Sequence, residues 1–208
     1  LLGPEQVLAK YADALAAVKT PPAYTFDYTF SHHGAHPQDV EHHIFRQGRR
    51  ERDEIVGFNG EKLPRPEIRV FLGHHDPYDV AALAPRPEAY VFTYAGEGKQ
   101  GRNLVYIFNT FARGTPNYEV TRMVVDAKTF LPLELDYQAK TVGVVGTGTV
   151  TFAKTDKYWM PQSATARAQV NGDLQTERID WLRYQFYMDF PPSTFAEPRA
   201  PAPPQPAG

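Results

Sequence analysis

The chain contains no cysteine. That excludes disulfides, thiolate nucleophiles and cysteine-ligated zinc. It also lacks an excess of either charge: 22 Lys and Arg stand against 24 Asp and Glu, a formal net charge of -2. No basic field is present to collect nucleic acid or an anionic membrane surface. Long hydrophobic runs are missing as well, and no apolar stretch approaches the roughly 20 residues that a helix needs to cross a bilayer. The sequence has no Gly-x-Ser-x-Gly elbow and no His-Glu-x-x-His spacing, so it makes no positive case for an enzyme. Gly96-Glu97-Gly98-Lys99-Gln100-Gly101 lacks the Gly-Lys-Ser/Thr ending of a phosphate loop and a following helix, and reads as a hairpin loop. The chain opens Leu1-Leu2-Gly3-Pro4 with no Met, which fits a removed export signal.

What is abundant is aromatic: 12 Tyr, 13 Phe and 2 Trp, alongside 19 Pro and 15 Gly. That mixture favours strands joined by turns. One helix is clear, from Pro4 towards Lys19, where Val7, Leu8, Tyr11, Ala14, Leu15 and Val18 form an apolar stripe and Thr20-Pro21-Pro22 follows. From Tyr24 the period changes to two, with Tyr24, Phe26, Tyr28 and Phe30 on one face. Strands are expected around 41–46 and 49–56 with a turn at 57–60. Residues 61–88 hold five prolines and predict only a strand over 68–72 and a short helix around 79–83. Further strands are expected at 90–94, 103–111, 118–125, 131–141, 143–154, 160–170 and 174–190. Asn171-Gly172 between two alternating runs is a strong hairpin signal. Consecutive strands with short loops cannot form a parallel sheet. The expected fold is mainly β: a single curved antiparallel sheet with an N-terminal amphipathic helix and a short middle helix. Residues 1–195 read as one domain. Residues 196–208 read as a Pro-rich disordered tail, since seven prolines fall within 191–208.

Several strands are apolar on both faces, as in Leu104, Tyr106 and Phe108 against Val105, Ile107 and Phe111, so both faces should be covered in places. Gly143, Gly146 and Gly148, with Ala164, Ala166 and Ala168, permit bending and leave room over the sheet. The helix stripe and the aromatic faces, especially Tyr11, Leu15, Phe26, Tyr28, Leu133, Leu135 and Trp181, are therefore expected to line an apolar ligand cavity. An ordinary core has the same composition, and pattern alone leaves both readings open.

All seven histidines lie between 32 and 75. His32, His33 and His36 read as solvated loop residues. Adjacent His42 and His43 point to opposite faces of a strand, so they cannot share a site. His74, His75 and Asp76 are the least poor metal ligands, and no metal or cofactor is expected. Arg49-Arg50-Glu51-Arg52-Asp53-Glu54 mixes signs and reads as a solvated strand edge.

The order of elements and Val125-Asp126-Ala127-Lys128-Thr129-Phe130-Leu131-Pro132-Leu133-Glu134, followed by 146–152, Tyr158-Trp159-Met160-Pro161 and Tyr184-Gln185-Phe186, resemble the LolA/LolB-like superfamily of periplasmic lipoprotein carriers over about residues 4–195. The resemblance implies an unclosed half-barrel with helices on its concave face. It further implies a periplasmic protein that binds a lipid or lipoprotein acyl chain and meets an inner- or outer-membrane protein. Other members are envelope-stress sensors, so a protein-interaction module is the alternative, and a metal-dependent enzyme built on the histidines is a third. Carriers hold cargo with an arginine near their early strands. Arg46, Arg49, Arg50 and Arg52 crowd that region without the carriers' Arg-Pro context, and the role is assigned to none of them.

Overall fold

The computed structural model describes residues 2–141 and 144–198. Its first element is helix α1, Pro4–Ala16, whose buried stripe is Val7, Tyr11 and Leu15. It ends at Ala16 with Ala17 as its C-cap, and the Val18 N–H closes a tighter last turn on the Leu15 carbonyl before Thr20-Pro21-Pro22. The strands are β1 Ala23–His33, β2 Gln38–Gln47, β3 Arg50–Phe58, β4 Glu61–Phe71, β5 Tyr90–Gln100, β6 Asn103–Ala112, β7 Tyr118–Asp126, β8 Pro132–Thr141, β9 Val144–Thr155, β10 Tyr158–Val170 and β11 Asp173–Tyr187. Helix α2, Val80–Leu83, lies between β4 and β5. Among the described residues these strands form one unclosed antiparallel sheet in the order β4-β3-β2-β1-β11-β10-β9-β8-β7-β6-β5. Two meanders, β1–β4 and β5–β11, meet where β1 pairs with β11. Asn59-Gly60 and Asn171-Gly172 take positive φ at both positions, as two-residue hairpin turns require.

Several sequence expectations change. β4 runs through Pro64 and Pro66. Both prolines sit in the interruption between the Ile55–Glu67 and Gly57–Lys62 pairs, on an edge strand where a missing N–H is tolerated. Of the Gly-rich run 96–101 only Gly101 lies in the hairpin turn: β5 continues to Gln100, and Gly96 at φ 130 sits at a bulge opposite β6. The charged run 49–54 is not an edge, since β3 lies between β2 and β4, with Glu51 and Asp53 buried. His32 and His33 belong to β1, not to a loop. β11 stops at Tyr187, and the segment after it ends in a short 3₁₀ turn, Pro192–Phe195. Phe190 there packs on Phe45 and Phe195, while the Arg50 guanidinium lies over the Phe195 ring. Phe195 is buried, so the outer face of β2 and β3 is covered from the C-terminal side.

The motif behind the family resemblance proves to be a folding device. Asp126 is buried and accepts hydrogen bonds from the N–H and Oγ1 of Thr129, both at 2.9 Å, which closes the β7–β8 turn. Trp159 Nε1 donates to the carbonyl of Pro132 at 2.7 Å. These contacts hold β8 against β7 and β10.

Because β4 and β5 are consecutive in the chain yet lie at opposite edges of the sheet, the residues joining them must cross its concave face. This strap, residues 72–89, decides where space is left.

Candidate functional site

Strand register sets the concave face. Tyr24, Phe26, Tyr28 and Phe30 of β1 stand opposite Arg46, Ile44, His42 and Val40 of β2. Those in turn face Glu51, Asp53, Ile55 and Phe58 of β3. On the other side of β1 the same face continues through Trp181 and Ile179, then Ala164 and Ala166, then Val150 and Gly148, then Leu135 and Tyr137.

The β5–β11 half of this face is filled. Val7, Tyr11 and Leu15 of α1 join Tyr106, Phe108, Val120, Met123 and Leu135 in one cluster. Tyr11 Oη donates to the carbonyl of Pro85 at 2.7 Å and so ties the helix to the strap. Burial pushes the Tyr11 hydroxyl well above its ordinary pKa. On the concave side, Gly148 does not leave open room. A Cβ on Gly148 would come within 2.5 Å of both the Thr165 carbonyl and the Tyr137 ring. Tyr78 from the strap packs against Trp181 at 5.4 Å and Tyr137 at 6.1 Å. Of the glycines expected to bend this strand, Gly143 lies outside the described residues.

The β1–β4 half is open. A groove of about 620 Å³ is lined by Tyr28, Phe30, Val40, Ile55, Phe58 and Leu63, with Gln38, His42, Glu67 and Arg69 as its polar members. That size lies within the range of roughly 300–1,000 Å³ usual for small-molecule sites. Phe58 is 43% exposed there, a large apolar side chain left in water on a face that elsewhere is covered. A smaller space of about 160 Å³, lined by Phe26, Tyr28, Phe30, Ile179 and Trp181 among others, adjoins it at the strap.

A buried ion cluster separates groove from core. Arg46 donates through Nε and Nη2 to Glu51 Oε2 at 2.9 and 2.5 Å, and through Nη1 to Asp76 Oδ2 at 2.7 Å. Its guanidinium also lies over the rings of Phe26 and Tyr24. Burial works against the Arg46 charge, yet Tyr24, Asp76 and Glu51 outweigh it and hold its pKa above that of a free guanidinium. His74, 3.2 Å from Arg46 Nη2 and 3.1 Å from Glu51, is lowered from the ordinary imidazole pKa by burial; Glu51 opposes this and Arg46 adds to it. The cluster pins the strap to β2 and β3. A second pair, His42 and Asp53 at 2.7 Å, lies farther along the same face, where the imidazole stacks on Tyr28 at 4.1 Å. His42 is thus a buried strand residue and not a surface histidine. Among the described residues no group of three His, Cys, Asp or Glu is placed to hold a metal ion.

Of the seven residues expected around a cavity, Tyr11, Leu15, Phe26, Leu135 and Trp181 sit in the packed core. Phe26 and Trp181 also border the smaller space, and Tyr28 borders both spaces. Leu133 is half-buried at the irregularity between the Val124–Glu134 and Val125–Pro132 pairs. The groove's other walls, Val40, Ile55, Phe58 and Leu63, were not singled out from the sequence, although alternation of Val40, His42, Ile44 and Arg46 marks one face of β2. A further cleft of about 600 Å³ is lined by Tyr137, Gly148 and Ala166 together with polar side chains including Thr147, Thr165 and Arg167.

No family model and no curated protein matches the sequence. Solved structures do match. The chain superposes on a putative outer membrane lipoprotein-sorting protein domain from Vibrio parahaemolyticus at a TM-score of 0.51 and 14% identity, covering 93% of this chain and 97% of that one. It superposes on a DUF1329 family protein from Desulfovibrio piger at a TM-score of 0.50 and 14% identity, covering 94% of this chain and 98% of that one. The resemblance read from the sequence therefore holds at the level of architecture: this chain has the LolA-like fold.

Proposed function

We propose that the protein is a non-enzymatic, periplasmic binding protein that holds a lipid or lipoprotein acyl chain in the groove between β1 and β4, for transfer at the envelope. The observation that carries this reading is the division of the concave face, with one half plugged by α1 and the strap and the other left as an open apolar groove. Each methylene moved from water into that groove contributes about 0.8 kcal/mol, so a long chain binds without any charged anchor. The likeness to a lipoprotein-sorting domain supports the location. Among the described residues no helix is long and apolar enough to cross a membrane.

Native mass spectrometry of the gently purified protein tests the reading. The expected result is a population heavier by the mass of one lipid, which organic extraction removes and incubation with phospholipid vesicles restores. A protein that emerges lipid-free and takes up nothing from vesicles overturns it. The alternative, an envelope protein-interaction module, draws on the outer face of β5 and β6, where Val91 is exposed beside its cross-strand partner Phe111, which is 69% exposed. A heavier population made by a bound polypeptide would favour it.

We also propose that residues 1–195 are the whole binding unit. Truncation after Ala196 is expected to leave the thermal midpoint and lipid content unchanged. Phe195→Ala should lower the midpoint by several degrees, because it empties the contact with Phe190 and Arg50. Differential scanning fluorimetry on both variants checks this, and a large loss on truncation alone would refute it.

A further inference from the structure

Asp53 and His42 form a buried polar pair beside the apolar walls of the groove, whose other polar members, Gln38, Glu67 and Arg69, are exposed. Two apolar side chains at these positions would hold β2 and β3 together as well, since a buried ionisable pair seldom stabilises more than its hydrophobic replacement. The pair nevertheless has a defined geometry. His42 Nδ1 lies 2.7 Å from Asp53 Oδ1. A carboxylate can only accept, so the hydrogen of this bond is on Nδ1, and neutral His42 carries its lone pair on Nε2. The ring plane is fixed by stacking on Tyr28, the cross-strand partner of His42, with 6° between the rings.

Nε2 has no hydrogen-bond partner among the described side chains. His42 borders the groove, and Nε2 is the ring nitrogen that Asp53 leaves free. The groove thus presents an acceptor on its floor, held in one tautomer and surrounded by Tyr28, Phe30, Val40 and Ile55.

The surrounding charges decide what should meet it. Arg69, opposite Asp53 on β4, is committed to Glu67 through Nε and Nη2 at 3.0 and 2.7 Å. With that pair neutral overall, the groove wall holds no uncommitted cation for an anionic head group. A neutral donor needs no counter-charge. We infer that the groove takes an amphiphile bearing a hydroxyl group, which donates to His42 Nε2 while the chain lies along Phe30, Val40, Ile55, Phe58 and Leu63. This rests on the binding reading above and specifies its ligand.

The test uses displacement of the apolar fluorophore N-phenyl-1-naphthylamine from the full chain by 1-dodecanol, dodecyl methyl ether and laurate. It is run at about pH 8, where a free carboxylic acid is ionised and a free imidazole neutral. One hydrogen bond predicts that the alcohol displaces at roughly three- to tenfold lower concentration than the ether. Monolauroylglycerol and methyl 3-hydroxylaurate carry the hydroxyl on the head group and on the chain respectively. Whichever shares the alcohol's advantage identifies the source, and an advantage for neither overturns the proposal. The double variant His42→Phe/Asp53→Leu keeps the stack on Tyr28 and leaves no buried charge unpaired. It should bind the ether as the native chain does and lose the preference for the alcohol. Equal displacement of the native chain by alcohol and ether, or stronger displacement by laurate, overturns the hydroxyl assignment while leaving the groove as a lipid site. Failure of the fluorophore and every competitor to bind overturns the binding reading itself.

Discussion

Glu51→Ala is expected to destabilise the protein by about 3 kcal/mol, at the lower end of what removing one partner of a buried ion pair costs. Glu51 is only 5% exposed and receives two of the three charge-assisted bonds that Arg46 makes to carboxylates. Without it the guanidinium keeps Asp76 but loses its other counter-charge in a site from which water is largely excluded. A loss of about 3 kcal/mol lowers the midpoint of a chain this size by roughly 6–12 °C, readily seen in a thermal melt. The triple variant Arg46→Met/Glu51→Leu/Asp76→Asn should recover most of the loss, because all three charges of the cluster are removed together. A single-variant loss below about 1 kcal/mol would show that the cluster is hydrated and does not anchor the strap.

Two tryptophan substitutions should separate groove from core. Val40→Trp places a large side chain into the open groove from β2. It should abolish lipid retention while moving the midpoint by no more than a few degrees, since the space it enters already exists. Leu135→Trp enters the plugged half, where Leu135 is wholly buried against Met123 and Val150. There the added volume forces strain of about 1–3 kcal/mol or more, and lipid content per folded molecule should stay unchanged. Chemical denaturation combined with mass analysis of extracted lipid measures both effects on each variant. If Leu135→Trp empties the protein of lipid without destabilising it, the ligand lies under α1 and the groove assignment fails.

The contrast between these two positions shows what the sequence could convey. Leu135 and Val40 carry the same signal, an apolar residue in an alternating run, and period-two patterning assigns both to the covered face. Which part of that face is covered depends on where residues 72–89 run, and that stretch has neither period nor long element to reveal its path. The helix, the aromatic β1, the meander and the Asn-Gly turns were legible because each is encoded within a dozen neighbouring residues. β4 was half hidden, since Pro64 and Pro66 read as breakers until the strand is known to be an edge. The run 49–54 looked solvated for a related reason. Its alternating charges reveal nothing of Arg46 and His42, which stand across from Glu51 and beside Asp53 only once β2 and β3 are in register. His42 could have been suspected from its place between Val40 and Ile44 on one strand face, but its partner could not.

The junction of β1 with β11 bears on how the chain reaches this state. Each meander assembles from neighbours in sequence, whereas the junction joins segments as distant as Asp27 and Arg183, 156 positions apart. Bringing such distant segments together carries a loop-closure entropy that local hairpins avoid, so the junction should form after them and set the refolding rate. Residues 72–89 must wait longer still, because Asp76 docks on the first meander while Tyr78 docks on the second. Pulse-labelled hydrogen exchange should accordingly protect the amides of β2–β3 and β7–β10 early and those shared by β1 and β11 late. Until that last closure, the apolar faces of both meanders stand open to solvent, which is the interval in which a newly made chain is most exposed to aggregation.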